Sequence, residues 1–340
     1  MVEFWLHAFP PYDDLVERAL RAEADGWTGI LLPENQFVTP DPYVVLSRVA
    51  AATSTLRLGQ GCSNPGTRDA SLHASQAISL HWVSGGRALL GLGRGDSAHA
   101  FLGLPPMPLA DFERYVRTLQ RYLAGESVPV AGSPRSIEWL PRSGLPKVPL
   151  EISATGPRVI ALAAELAERV ALNLGASPER IGRAVAGLRG ARERVRLDPE
   201  GIQVGAYVNV AAHSDIAVAR EMVRGGVSGF ARFSAMSGRA VDGLTVEDRR
   251  VTEAMVAAYD MEGGHGQAMS RQASLLDDSF IDRFAVLGPP QRCVDHLAEL
   301  VERGVRHLVI SPQSRFTERE AVAESIAQIG ETVIPALRAL

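Results

Sequence analysis

Short apolar runs of β type alternate with longer segments of helical periodicity along almost the whole chain, and this alternation limits the fold more than any other feature. Strand-like runs fall at 4–9, 29–33, 56–63, 87–93, 149–154, 170–174 and 202–211. Between them lie helical patterns at 13–24, 42–52, 70–83, 109–123, 157–167 and 178–195. A run at 284–288, a helix at 290–303, the strand 307–311 and a last helix from Thr317 close the chain. Parallel strands need crossovers of this length. Eight such units predict an α/β fold of the (β/α)8 type, the TIM barrel, with a doubly wound sheet as the alternative. Ser177-Pro178-Glu179 reads as a helix start, and Thr317 with Glu320 as a capping box.

Two stretches break the rhythm. Residues 125–148 carry prolines, glycines and a short run at 136–140, which predicts a hairpin-bearing excursion after strand four. Residues 214–283, after strand seven, hold helical pieces separated by Gly225-Gly226, Gly238, Gly243 and Gly263-Gly264. They read as an insertion in one barrel domain spanning 1–340, and Tyr259, His265 and Gln272 make it the expected lid.

Composition narrows the class. The chain has 340 residues, 46% hydrophobic and 22% charged, with a net charge of −4, values of an ordinary enzyme rather than a nucleic-acid binder or polybasic membrane-surface protein. Cys62 and Cys293 form neither a CxxC pair nor a disulfide framework, so a cytoplasmic location is expected. Residues 1–11 lack a basic leader, and no run of eighteen apolar residues occurs. The expected partner is a small molecule, without nucleic acid or membrane.

In a barrel, function sits at the C-terminal ends of the strands. Those ends are polar: His7, Glu34-Asn35, Ser63-Asn64, Arg94-Asp96, Ser153-Thr155-Gly156, Asn173, Asn209 or His213, and Gln313. Each alone is compatible with a solvated loop residue. His7 follows an apolar strand where a histidine can exchange a proton near neutral pH, or serve as a structural hydrogen-bonding group. The turn 153–157 leads from strand to helix and can hold a phosphate at the helix N-terminus, or be capped by Thr155. Gly93-Arg94-Gly95-Asp96 offers a close backbone approach with both signs of charge, or a tight turn with a surface ion pair. His73, His81 and His296 fall in helices, as packed or surface residues. The absence of HExxH spacing and of GxSxG after a strand argues against a catalytic metal and a serine nucleophile.

Five segments in order carry a family resemblance: Asn64-Pro65-Gly66-Thr67-Arg68, Ser84-Gly85-Gly86-Arg87, Gly91-Leu92-Gly93-Arg94-Gly95-Asp96-Ser97, Ala154-Thr155-Gly156-Pro157 and Leu287-Gly288-Pro289. With them the chain resembles the bacterial-luciferase-like superfamily of flavin and deazaflavin (F420) oxidoreductases, and most of all its branch related to methylenetetrahydromethanopterin reductase. The resemblance implies F420 as cofactor, with FMN as the alternative, and a homodimer. It implies a non-prolyl cis peptide at Gly61-Cys62 under the cofactor ring, cofactor contacts at Ser63, Asn64, Arg94, Gly95 and Asp96, and a phosphate cradle at Ala154, Thr155 and Gly156 with Asn173 nearby. His7 would stand where the methylene-pterin reductases carry an acidic proton donor.

One departure matters. Several F420 enzymes have Asp-His after strand two, whereas this chain has Glu34-Asn35-Gln36, and asparagine is no general acid or base near neutral pH. His7, or Glu34 with a pKa raised by burial, would then carry proton transfer. The implied activity is hydride transfer between F420 and a small organic substrate, preferably reducing a C=C or C=N bond. An FMN-dependent monooxygenase and a non-catalytic flavin-binding barrel are the competing readings.

Overall fold

The computed structural model describes residues 1–235 and 243–340, so Gly238 and the part of the predicted insertion at 236–242 lie outside the described residues. The strands are β1 (Glu3–His7), β2 (Gly29–Leu32), β3 (Arg57–Gln60), β4 (Ala88–Leu92), β5 (Val128–Val130), β6 (Ser133–Arg135), β7 (Leu150–Ala154), β8 (Arg169–Leu172), β9 (Gln203–Ala212), β10 (Val286–Gly288) and β11 (His307–Ser311). Eight of them, β1-β2-β3-β4-β7-β8-β9-β11, pair in parallel in that order, and β11 returns to β1 to close the barrel.

The helices are α1 (Leu15–Ala24), α2 (Pro42–Ala52), α3 (Ala70–Val83), α4 (Ser97–Ala100), α5 (Leu109–Leu123), α6 (Pro157–Leu166) and α7 (Pro178–Arg194). They continue with α8 (Ile216–Arg232), α9 (Val246–Ala257), α10 (Asp278–Phe284), α11 (Pro290–Glu302), α12 (Arg319–Gln328) and α13 (Ile334–Arg338). Several start on side-chain caps: Asp41 accepts from the Tyr43 and Val44 amides, and Ser177 from Arg180. Each such cap satisfies a donor that the first helical turn leaves open, worth about 1 kcal/mol.

Side-chain alternation divides the barrel wall. Leu6, Ile30, Leu58, Leu90, Ile152, Val170, Val208 and Ile310 face the helices and form the main core. Trp5, Leu31, Leu89, Ala171, Tyr207 and Val309 fill the interior. Gly29 makes room for the Trp5 ring, since a Cβ there would lie 2.5 Å from it. Below this layer Arg169 pairs with Glu3 (2.9 Å) and Glu151 (3.1 Å), and His307 Nε2 lies 2.7 Å from Glu151. Burial alone would raise the Glu151 pKa, but His307 and Arg169 overcome it and hold the carboxyl at about 2. Burial and Arg169 push the His307 pKa below its ordinary value, against the opposing effect of Glu151. Two cavities, of about 380 and 280 Å³, open at this N-terminal end and do not reach the polar rim.

Residues 286–288, in the run at 284–288, lie beside the barrel, because β9 runs past its neighbours and pairs there through Val210–Ala212. The structure corrects three local expectations. The excursion hairpin is formed by β5 and β6, ahead of the run at 136–140. Gly225-Gly226 does not interrupt α8; a Cβ at Gly225 would meet the Gly266 carbonyl at 2.4 Å, so the pair serves close packing. Thr317 caps no helix, since its hydroxyl donates to the Ser314 carbonyl and α12 begins after Glu318. Among the described residues, no helix is long and apolar enough to cross a membrane.

Candidate active site

The polar strand ends converge on the C-terminal mouth of the barrel. His7 ends β1 and is 4% exposed, surrounded by the rings of Phe9, Tyr207 and Phe230 at 4.5, 5.5 and 6.4 Å. Neither ring nitrogen makes a well-formed hydrogen bond. Burial pushes its pKa down to about 4, against a smaller opposing effect of the Gly61 backbone. His7 is therefore neutral at pH 7, in contrast to a histidine poised to exchange a proton at neutral pH. Tyr207, also buried, is held well above its ordinary pKa by burial and stays protonated.

Glu34 and the loop after β3 form the next part of the rim. The Gly61-Cys62 peptide is cis, as the resemblance implied. Cys62 lies beside Ser153, and burial pushes its thiol up to about 11, so it is no nucleophile at neutral pH. Ser63 Oγ donates to Glu34, whose other oxygen takes the Arg68 Nε at 2.8 Å. Arg68 also reaches Gln76 and Asp41, at 2.8 and 2.6 Å, and lies over the Tyr43 ring. Glu34 is thus an ion-paired acceptor that fixes Ser63 rather than an isolated acid. Asn35 is spent on its own turn, its Oδ1 accepting from the Phe37 amide, while its Nδ2 has no partner. Asn64 Oδ1 accepts from the Gly66 amide, and its Nδ2 is likewise buried and unpartnered.

The end of β4 is divided between two tasks. Gly95 has φ +90°, and both it and Gly66 lie against the His99 ring, where a Cβ would come within 2.3 Å. Arg94 donates to the Met107 carbonyl at 2.7 Å and has no carboxylate partner among the described residues. Its pKa is lowered by burial and then by the neighbouring charge of Arg158, on the first turn of α6. Asp96 forms an ion pair with Arg232, at the end of α8. It therefore ties the insertion to the barrel as well as facing the rim.

On the neighbouring strand, Ala154 ends β7, and Thr155-Gly156 lead into α6, whose N-cap is Gly156 without a side-chain cap. Thr155 does not cap the helix; its hydroxyl donates to the Asn173 carbonyl at 3.1 Å. Nothing lies within 4 Å of a Cβ added at Gly156, and Asn173 Oδ1 is buried without a partner.

Within the insertion, Tyr259 hydrogen-bonds His265 Nδ1 at 2.7 Å, and Arg232 stacks on the Tyr259 ring at 4.9 Å. These two expected lid residues join the Asp96–Arg232 pair. Gln272 does not, being fully buried and bonded to the backbone of Asp260. His213 also lies aside, hydrogen-bonded to the Asp215 amide at the start of α8. His73 and His81 are packed helix residues, and His296 bonds the Ala176 carbonyl.

Residues 3–307 match the family profile described as luciferase-like monooxygenase. The chain belongs to this family. It is therefore an oxidoreductase of the luciferase-like class, and it is 27% identical over 309 residues to 5,10-methylenetetrahydromethanopterin reductase of Methanolobus tindarius, covering 88% of this chain and 91% of that one. Its fold is shared with the coenzyme F420 dependent tetrahydromethanopterin reductase from Methanopyrus kandleri, with TM-score 0.75, 23% identity and 99% of both chains covered. It is shared too with the oxygenating constituent of 3,6-diketocamphane monooxygenase from Pseudomonas putida in complex with FMN, with TM-score 0.70, 14% identity, and 99% and 98% covered.

Several residues of this luciferase-like site carry little local signal. Tyr207 and Ser311 sit inside apolar strands, and Phe230 and Arg232 inside a helix, so only the closed barrel brings them to the rim. Arg68 lay within a family segment, but its role as the anchor of Glu34 depends on contacts from β2, α2 and α3.

Proposed function

We propose that the protein is an F420-dependent oxidoreductase that transfers a hydride between the deazaflavin and a small organic substrate, with reduction of a C=C or C=N bond preferred. The observation that carries this reading is the uncapped N-terminus of α6 at Gly156, with Arg158 on its first turn near enough to lower the pKa of Arg94. Such a place favours an anionic cofactor tail. The space at Gly156 and the unpartnered Asn173 Oδ1 and Asn64 Nδ2 fit the same group. Thr155, Gly156, Asn173, Arg94 and Arg158 would hold the tail, with Ala154 framing the turn. Gly61, Cys62, Ser63, Asn64 and Gly95 would border the ring.

The deazaflavin supplies the hydride chemistry when bound. The chain's own residues orient and polarise. A neutral His7 donates an N–H hydrogen bond to a substrate atom gaining charge, as neutral imidazoles do in other barrels. Tyr207 keeps its proton and lines the same wall. Glu34 holds Ser63 in place and is itself held by Arg68.

The outward faces of α2 and α3 leave Val44, Leu72, Trp82 and Val83 exposed, which supports a homodimer through this side. The cofactor assignment is tested by the affinity of Thr155→Val/Asn173→Ala and of Arg94→Ala for F420, read by fluorescence. At least tenfold weaker binding is expected for each; unchanged affinity contradicts the cradle.

A further inference from the structure

Three adjacent strands end in buried polar side chains that are short of hydrogen-bond partners among the described residues. Ser311 of β11 is level with Asn209 of β9, and Leu6 pairs with Ile310, which brings His7 of β1 level with Ser311 on its other side. Ser311 is 0% exposed, Asn209 1% and His7 4%. The Ser311 Oγ and both amide atoms of Asn209 lack hydrogen bonds among the described residues, and the His7 ring has only a poorly formed contact with the Gly61 backbone. All three face inward, each two residues beyond Val309, Tyr207 or Trp5 of the barrel interior and so on the same face. Buried polar groups are nearly always satisfied, so the open atoms of this arc mark a place that a ligand completes.

The character of the arc is specific. His7 is neutral, and the other two groups carry no charge. The charged residues of the rim, Glu34 with Arg68 and Asp96 with Arg232, are paired with one another. Arg94 and Arg158 belong to β4 and α6, across the barrel from β9, β11 and β1. Phe230 stacks over His7 with an interplanar angle of 20° and meets Tyr207 edge-on, giving a flat apolar roof. Gly226 lets α8 lie close above, since a Cβ there would be 2.6 Å from Asn209 Nδ2.

We propose that the His7–Ser311–Asn209 arc is the substrate-recognition site, and that it takes an uncharged planar group offering both a donor and an acceptor, of the carboxamide or lactam class. Asn209 presents the complementary acceptor and donor, Ser311 supplies a second contact, and Phe230 covers the face of the group. This assignment rests on the mouth of the barrel being the active site and makes Asn209 and Ser311 the determinants of substrate class.

The test uses the protein loaded with F420 and benzamide, benzoate and benzamidine as probes, followed by calorimetry and saturation-transfer NMR. Benzamide is expected to bind, with benzoate at least tenfold weaker. Asn209→Leu, similar in shape but without hydrogen bonds, should lose at least fivefold in benzamide affinity, and Ser311→Ala about threefold, while F420 affinity changes less than twofold. Asn209→Asp should shift the preference from benzamide to the benzamidine cation, which a merely structural role would not do. Equal binding of benzamide and benzoate, no binding of benzamide, or full affinity in a folded Asn209→Leu protein overturns the assignment. If the wild type fails to bind F420 but still binds benzamide through Asn209, the cofactor reading falls and the arc stands.

Discussion

Arg232, on the last turn of α8, pairs with Asp96 at the end of β4, so the helix that follows β9 reaches over the barrel mouth to a strand three places away. Phe230, one half-turn earlier, covers His7 and Tyr207. The two side chains of the pair are 16% and 18% exposed, which makes the contact stronger than a solvated surface bridge.

Loosening this tie should act on the mouth and not on the barrel. Asp96→Asn and Arg232→Met are each expected to raise hydrogen exchange in residues 226–235 and to change substrate KM at least fivefold, with Tm falling by less than about 1.5 °C, or about 1 kcal/mol. A double-mutant cycle should give a coupling of about 1 kcal/mol. Independent effects would remove the tie from the account.

Arg68 should prove a positioning residue. It fixes Glu34, and Glu34 fixes Ser63 at the mouth, so Arg68→Met leaves a carboxylate without its cation at a site where Glu34 is 9% exposed. F420 affinity is expected to fall about tenfold, and Arg68→Lys to recover only part of it, because lysine lacks the fork that spans Glu34, Gln76 and Asp41. Full recovery with lysine would reduce the role to simple charge.

Acid should destabilise the protein through its buried histidines. His7 and His73 titrate in the folded chain at about 4 and about 3, both lowered chiefly by burial. Between these values and about 6.5 the unfolded chain takes up protons that the folded chain does not, so stability rises with pH across that window and is lost as pH falls through it. For His7 this amounts to about 3 kcal/mol. Urea titrations at pH 7.5 and 5 should therefore show a smaller loss for His7→Gln than for the wild type; parallel losses would contradict a buried neutral His7.

The floor of the barrel should resist removal of one partner. Glu151→Gln strips the counter-charge from Arg169, which is 4% exposed, and is expected to cost about 3–5 kcal/mol in urea unfolding. A loss under 1 kcal/mol would mean that Glu3 alone satisfies the guanidinium.

The barrel and most of its rim were legible because both follow from local pattern. Strand runs alternate with helical ones, and a polar residue directly after an apolar strand must lie at its end, which located His7, Ser63, Asn64 and Asn173. What escaped depends on distant contact. Nothing near Arg232 announces Asp96, 136 residues away. Ser311 looks like the last residue of an apolar strand until β9 and β1 place Asn209 and His7 beside it. Gly225-Gly226 reads as a break because glycine disfavours helix, yet the neighbouring backbone leaves no room for a side chain there. Residues 286–288 have a strand's composition, and only the length of β9 puts them outside the barrel.

The central claim is that this mouth holds F420 and works on it. Titration of the purified protein with F420 and with FMN, followed by absorbance and fluorescence, tests it most directly. Saturable stoichiometric binding of F420, weakened at least tenfold in Arg94→Ala, with no comparable binding of FMN, is the predicted result. Saturable FMN binding without F420 binding would contradict it.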